Sequence, residues 1–289
     1  MKNILGRENS LRTRVLRLAA VAIFTIHCSA LPAFAGDDFR KRVNQEPESF
    51  STDDDVKAEI VFGRTLAARI LGKYAFYEND KLNEYVNKIG KGMAQFANRP
   101  EIEFRFAVID SDIVNAFAAP GGYIFITRGA VARMADEAEL AAVISHEIAH
   151  VTEKHIVKEL NIKGTDASPV SGFAQVLGGG SGAARVVFTQ MVDQAAEILF
   201  EKGLKKQDEF DSDRVATMTV AVAGYDPTAL KRYLKKISGA EKETKSLTGT
   251  HPSFEERINN VDAVLAENQL TEKKQAIVKE RFNANVKIN

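Results

Sequence analysis

Residues 146–150 read HEIAH. On a helix, His146 and His150 lie four residues apart on one face, where both imidazoles can reach a single metal ion while Glu147 stands beside it. Neutral imidazole suits zinc, and a site with three protein ligands keeps a fourth position for water, whose pKa the metal lowers toward about 7. A carboxylate next to the first ligand can take that water's proton as it attacks a carbonyl. The pattern therefore points to metal-assisted hydrolysis with Glu147 as the base, and it requires a helix beneath it and a third ligand from elsewhere.

The flanking residues supply the helix. From Asp136 the chain reads DEAELAAVISHEIAHVTEKHIVKEL, without Gly or Pro, and Leu140, Val143, Ile144, Ile148, Val151 and Ile156 make an apolar stripe. Acidic residues crowd the first turn and a lysine lies near the end, the arrangement the helix dipole favours. Two histidines in such a stripe could be satisfied core residues, but their coincidence with Glu147 argues for a site. His155, nine residues after His146 on one continuous helix, falls on the opposite side and reads as a structural or surface histidine.

A second helical pattern begins near Ala184 and runs past Ala216. Within it EFDSD puts Glu209 and Asp213 four apart on one face. Glu209 can be the third ligand, and Asp213 can accept from the distal nitrogen of a ligand histidine. Asp208, Asp211 and several glutamates compete for the same role.

Other segments frame these. Helical patterns cover residues 56–71 and 80–97, and strands are predicted at 103–109 and 123–127. Between the strands, Asn115, Ala116, Phe117 and Ala118 precede Pro120, Gly121 and Gly122. This apolar stretch reads as a short edge strand able to hold an extended polypeptide by main-chain hydrogen bonds, although Phe117 could equally be a core anchor. Residues 161–184 are rich in Gly and Ser, a linker or a lid over the cleft. Asp226 and Pro227 open a helix reaching about Ile237, another runs over residues 253–265, and the charged last two dozen residues read as helical or frayed. The expected fold is α+β: mainly helical, zincin-like, with a small β-sheet beside the HExxH helix.

The first 35 residues have a basic head, a short apolar run at 18–26 and an Ala-Phe-Ala end at 33–35, the layout of a secretory signal peptide. The apolar run is short for a membrane span. A flexible acidic leader at 36–55 would follow, then a domain over 56–289. Acylation of Cys28 is a competing reading, disfavoured by the large polar His27 before it. Cleavage after Ala35 removes that lone cysteine, so neither disulfides nor thiolate ligands enter. It also turns a balance of 39 basic and 39 acidic residues slightly acidic, and nothing suggests nucleic acid.

Taken together these motifs resemble the M48 peptidases, a gluzincin family that includes the Ste24 and HtpX types, and most of all its soluble periplasmic members. HEIAH, the ExxxD pair Glu209 and Asp213, the stretch NAFAAPGGYIFITRG at 115–129, and THP at 250–252 followed by Arg257 occur in the family's order. The resemblance spans roughly residues 50–265. It implies one Zn2+ held by His146, His150 and Glu209, with Glu147 as general base and Asp213 and Arg257 supporting the ligands. It also implies substrate binding along Asn115, Ala116, Phe117 and Ala118, and a histidine, His251, facing the cleft as an oxyanion donor or as a plug in a resting state. Ser212 stands where the family commonly has Ala. The single-domain type is implied, without the C-terminal tetratricopeptide array of some relatives.

The expected activity is zinc-dependent endopeptidase cleavage of unfolded or misassembled envelope proteins in the periplasm, with outer-membrane assembly components as partners. Two other classes stay open: a chaperone-like protein holding clients on its edge strand, and a zinc hydrolase of a non-peptide substrate.

Overall fold

The computed structural model describes residues 53–164, 182–239, 252–273 and 275–288. The segment expected to be a signal peptide, Cys28, nearly all of the expected acidic leader, most of the Gly-rich stretch and His251 lie outside them.

Helix α1 (Asp53–Lys73) takes the acidic run Asp53, Asp54 and Asp55 into its first turn and ends on Lys73, so both ends complement the helix dipole. It starts three residues before the sequence pattern suggested. Phe62, Leu66, Ala67 and Ile70 form its buried face. Helix α2 (Asp80–Ala94) is capped by Asn79, whose side chain accepts from the Leu82 amide at 3.1 Å. Three strands follow: β1 (Arg105–Ile109), β2 (Ala116–Ala119) and β3 (Tyr123–Thr127). Their order is β1-β3-β2, with β1 parallel and β2 antiparallel to the central β3.

The turn Pro120–Gly122 joins β2 to β3 and explains the punctuation of that stretch. Gly121 and Gly122 sit at φ 72° and 88°, where only glycine is unstrained. Helix α1 presses on this turn so closely that a Cβ on Gly63 would stand 1.6 Å from the Pro120 carbonyl oxygen. The buried Glu59 accepts from the Gly121 amide at 3.2 Å and from Arg99 at 2.9 Å. The edge strand is thus held from behind by a helix, a glycine contact and a buried ion pair.

Short α3 (Arg128–Ala132) leads to α4 (Glu137–Thr152), the HExxH helix. The sequence predicted one apolar stripe, yet every residue from Glu137 to Val151 is buried. A helix covered all round is a core element, and α4 packs against α2, β2 and the later helices over Lys206–Val222 and Ala229–Ser238. Asp136 caps it, accepting from the Glu139 amide at 3.0 Å. Buried Glu137 accepts from the Tyr85 and Tyr225 hydroxyls, each at 2.6 Å, and from Arg281. Burial alone would raise its pKa; Arg281 and the two tyrosines hold it below the usual range.

Two helices that the sequence pattern made continuous are broken. The first ends at Thr152, Lys154 adopts a left-handed conformation (φ 59°, ψ 37°), and α5 (His155–Glu159) begins in a new direction. The second divides into α6 (Gly182–Glu197), a π-type turn at Ile198–Lys202, and α7 (Lys206–Val222). Gly203 at φ 76° makes the separation. Helices α8 (Ala229–Ser238), α9 (Phe254–Glu267) and α10 (Lys279–Asn285) complete the element order. Helix α8 starts at Ala229 after the N-cap Thr228, not at Pro227, because the Asp226 carboxylate accepts from the Thr228 amide and hydroxyl in a side-chain turn before the helix. The architecture is α+β, mainly helical, with a three-stranded sheet against the HExxH helix. Among the described residues no helix is long and apolar enough to cross a membrane.

Candidate metal centre

Helix α4 presents His146 and His150 one turn apart, with their Nε2 atoms 3.0 Å from each other. The break at Gly203 frees α7 to lie along α4, its most extensive partner. That packing places Glu209 opposite the pair, with Oε2 3.5 Å from His146 Nε2 and Oε1 3.6 Å from His150 Nε2. The three ligand atoms all lie within 4.8 Å of one another and all three residues are buried. Two imidazoles and a carboxylate at this separation are a donor set that fits zinc.

The support comes from two helices. Asp213, one turn after Glu209 and fully buried, accepts from His146 Nδ1 at 2.9 Å. Arg257 on α9 donates to the same carboxylate from two nitrogens, at 2.9 Å and 2.6 Å, while its third nitrogen is 3.6 Å from Glu209. A capping box between Ser253 and Glu256 starts α9 and so fixes where Arg257 enters. Burial would raise the Asp213 pKa, but Arg257 and His146 hold it below the usual carboxylate range.

Burial and the Arg257 charge both disfavour a cationic His146; the Asp213 and Glu209 carboxylates outweigh them and push its pKa up to about 9. With the folded value above the unfolded 6.5, the stability this group contributes to the metal-free chain is complete below pH 6.5 and lost as pH rises through about 9. The melting temperature of metal-free protein should therefore fall across that window. Zinc binding at neutral pH should release a proton, measurable by calorimetry in buffers of different ionisation enthalpy. Zinc-binding heats that do not vary with the buffer would contradict the assignment.

Glu147 is buried and lines both of the small cavities that flank the triad. One, about 40 Å³, is apolar, between Val114, Val143, Leu230, Leu234 and Ile237, and reaches His146. The other, about 30 Å³, lies between Ala116, Phe117 and Ala118 on one side and His150, Glu209, Leu199 and Leu204 on the other. A larger cavity of about 740 Å³ between α1 and α6 touches none of these residues. Size does not mark the site here; the converging ligand atoms do.

Strand β2 is at the sheet's edge. The Asn115 carbonyl accepts from the Thr127 amide at 3.1 Å, so by alternation Phe117 also points its main chain at β3. Ala116 and Ala118 turn theirs the other way. The Ala116 amide donates to the Asn115 side chain at 2.8 Å. The Phe117 ring is a core anchor, stacked on Tyr74 and edge-on to Phe200. Of the two readings left open for Phe117, the side chain follows the core anchor.

His155 is the residue sequence reasoning misplaced. Because α4 stops at Thr152, His155 comes back to His150, Nδ1 to Nδ1 at 2.9 Å, and is buried. No glycine or proline marks the reversal, and only a lysine in the left-handed region makes it. Ser212, in the position noted as unusual, is fully buried and its hydroxyl has no hydrogen-bond partner among the described residues. Ser212→Ala should raise stability by about 1 kcal/mol in urea unfolding; a loss would mean that the hydroxyl is used.

A fully buried HExxH helix, joined by a glutamate from a second helix and backed by a small sheet, carries the metal-binding triad typical of zinc metalloendopeptidases. The chain belongs to Peptidase family M48, whose model matches residues 80–265. It is similar to the beta-barrel assembly-enhancing protease of Yersinia pestis, 29% identical over 199 residues, covering 62% of this chain and 38% of that protein. The protein of the same name from Escherichia coli (strain K12) is 27% identical over 222 residues, with 69% and 42% covered. The mitochondrial metalloendopeptidase OMA1 of Schizosaccharomyces pombe is 25% identical over 193 residues, with 64% and 54% covered. The chain spans about two-fifths of the length of the first two.

Proposed function

We propose that this chain is a zinc-dependent endopeptidase that cleaves internal peptide bonds of unfolded or misassembled polypeptides. The observation that carries the reading is the convergence of His146, His150 and Glu209 on a buried helix with Glu147 facing both flanking cavities. One zinc ion held there supplies a Lewis acid for the scissile carbonyl and for the attacking water. Glu147 takes the proton from that water and returns it to the leaving amine. Asp213 holds the His146 proton on Nδ1, keeping the Nε2 lone pair toward the metal, and Arg257 locks Asp213. The edge of β2 takes an extended substrate through the Ala116 carbonyl and the main chain of Ala118, with Asn115 at its start and the Phe117 ring anchoring the strand from behind. His251, outside the described residues, is assigned from the family motif as the oxyanion donor. His251→Ala should then lower turnover; a rise in basal activity would make it a plug instead.

We read the first 35 residues as a signal peptide and the chain as periplasmic. The name of its Escherichia coli relative favours envelope proteins, outer-membrane assembly intermediates among them, as substrates. The test is cleavage of unfolded casein by the chain beginning at Gly36, metal-free and after zinc reconstitution. Cleavage that requires zinc supports an endopeptidase. Stoichiometric zinc binding without cleavage of casein or of unfolded outer-membrane proteins would favour a client-binding role.

A further inference from the structure

The reversal after α4 has a chemical consequence. Lys154 holds a left-handed conformation without being glycine, which costs about 1–2 kcal/mol, and it delivers the His155 ring against the ring of His150. The centroids are 5.0 Å apart and the planes 74° apart, so the contact is edge-on, nitrogen to nitrogen. The far nitrogen of His155, Nε2, faces the Asp208 carboxylate at 3.8 Å. Asp208 directly precedes the ligand Glu209, so one short stretch of α7 touches both the triad and the group behind it.

Two ring nitrogens at 2.9 Å share one hydrogen. His150 Nε2 is turned toward the centre of the triad, facing His146 Nε2 and Glu209, so its lone pair belongs there. The His150 hydrogen is then on Nδ1, and His155 Nδ1 must be the acceptor. The His155 hydrogen is left on Nε2, pointing at Asp208. We propose that His155 is a positioning residue for the metal ligand His150, fixing its tautomer and ring plane as the acceptor of its Nδ1 hydrogen. The two histidine ligands are thereby backed unequally: His146 by a carboxylate locked to Arg257, His150 by a neutral imidazole. Outer partners of this kind govern how tightly a metal is held.

The proposal rests on the metal reading of His146, His150 and Glu209, and its test separates the two. Zinc affinity of the full chain is measured by competition with a chromogenic chelator, the ligand field by the visible spectrum of the Co2+ form, and folding by the melting temperature of metal-free protein. His155→Leu should weaken zinc binding by about 10–100-fold and shift the cobalt bands. His155→Asn, whose Oδ1 takes the place of the ring Nδ1, should restore most of both. Wild-type affinity and spectrum in the Leu variant, or no recovery with Asn, would overturn the role of His155 while leaving the metal site standing. Failure of the wild-type chain to bind zinc would remove the site itself. If the Leu variant does not fold, the zinc-loaded wild-type protein decides by long-range proton–nitrogen correlation of its imidazoles. A His155 hydrogen on Nε2 is expected, and one on Nδ1 overturns the proposal.

Discussion

Glu147→Gln should abolish zinc-dependent peptide cleavage while leaving zinc content unchanged. The carboxylate is not among the three ligand residues, and the amide is nearly isosteric, so the buried position beside both cavities keeps its packing. What disappears is the ability to take a proton. General bases contribute typically about 10²–10⁴-fold, and the loss should fall on kcat with KM little changed. The contrast with Glu209→Gln is diagnostic, because that change weakens a ligand and should lower zinc content together with activity. Retention of more than about a tenth of wild-type turnover by the Glu147→Gln variant, against that general-base contribution, would assign the base elsewhere.

The second large effect concerns stability. Arg257 is 5% exposed and faces two buried carboxylates at once, Asp213 by a two-point contact and Glu209 at 3.6 Å. Arg257→Leu removes that guanidinium from both and leaves the histidines as their neighbours. Breaking a buried ion pair by removing one partner costs about 3–5 kcal/mol, and urea unfolding of the metal-free chain should show it. Added zinc should recover part of the loss, since it binds only the folded form. Arg257→Lys should rescue little, because an ammonium lacks the planar fork that spans both oxygens of Asp213. A loss below about 1 kcal/mol in the Leu variant, well under the cost of a stranded charge, would mean that Asp213 is protonated and that the pair is not ionic.

How much of this was readable depended on the range of the signal. HEIAH and the spacing of Glu209 and Asp213 are local, and one helical turn suffices to read them. The termini of α1, α2 and α9 were close because acidic first turns, Asn79 and Ser253 are chemical signals in the chain itself. The break at Lys154 was invisible, since a lysine in the left-handed region is imposed by packing around it. The division of the long helix at Ile198–Lys202 left only Gly203 as a trace. Both misses mattered for the site, because one brings His155 to His150 and the other lets Glu209 meet the histidines. The double nature of Phe117 could be resolved only by seeing that its ring and its backbone face different neighbours.

The burial of α4 from Glu137 to Val151 bears on how such an enzyme can be controlled. Its amide hydrogens have no local route to solvent, so they should exchange only when the whole molecule opens. The floor of the site therefore has no independent softness, and Glu147, His146 and His150 stand on it. Any change between resting and working forms has to be made in the walls: the edge strand, which meets α1 through an apolar cluster, a glycine contact and the buried Glu59, and the segment of Ile198–Lys202 that lines the cavity on the other side of the triad.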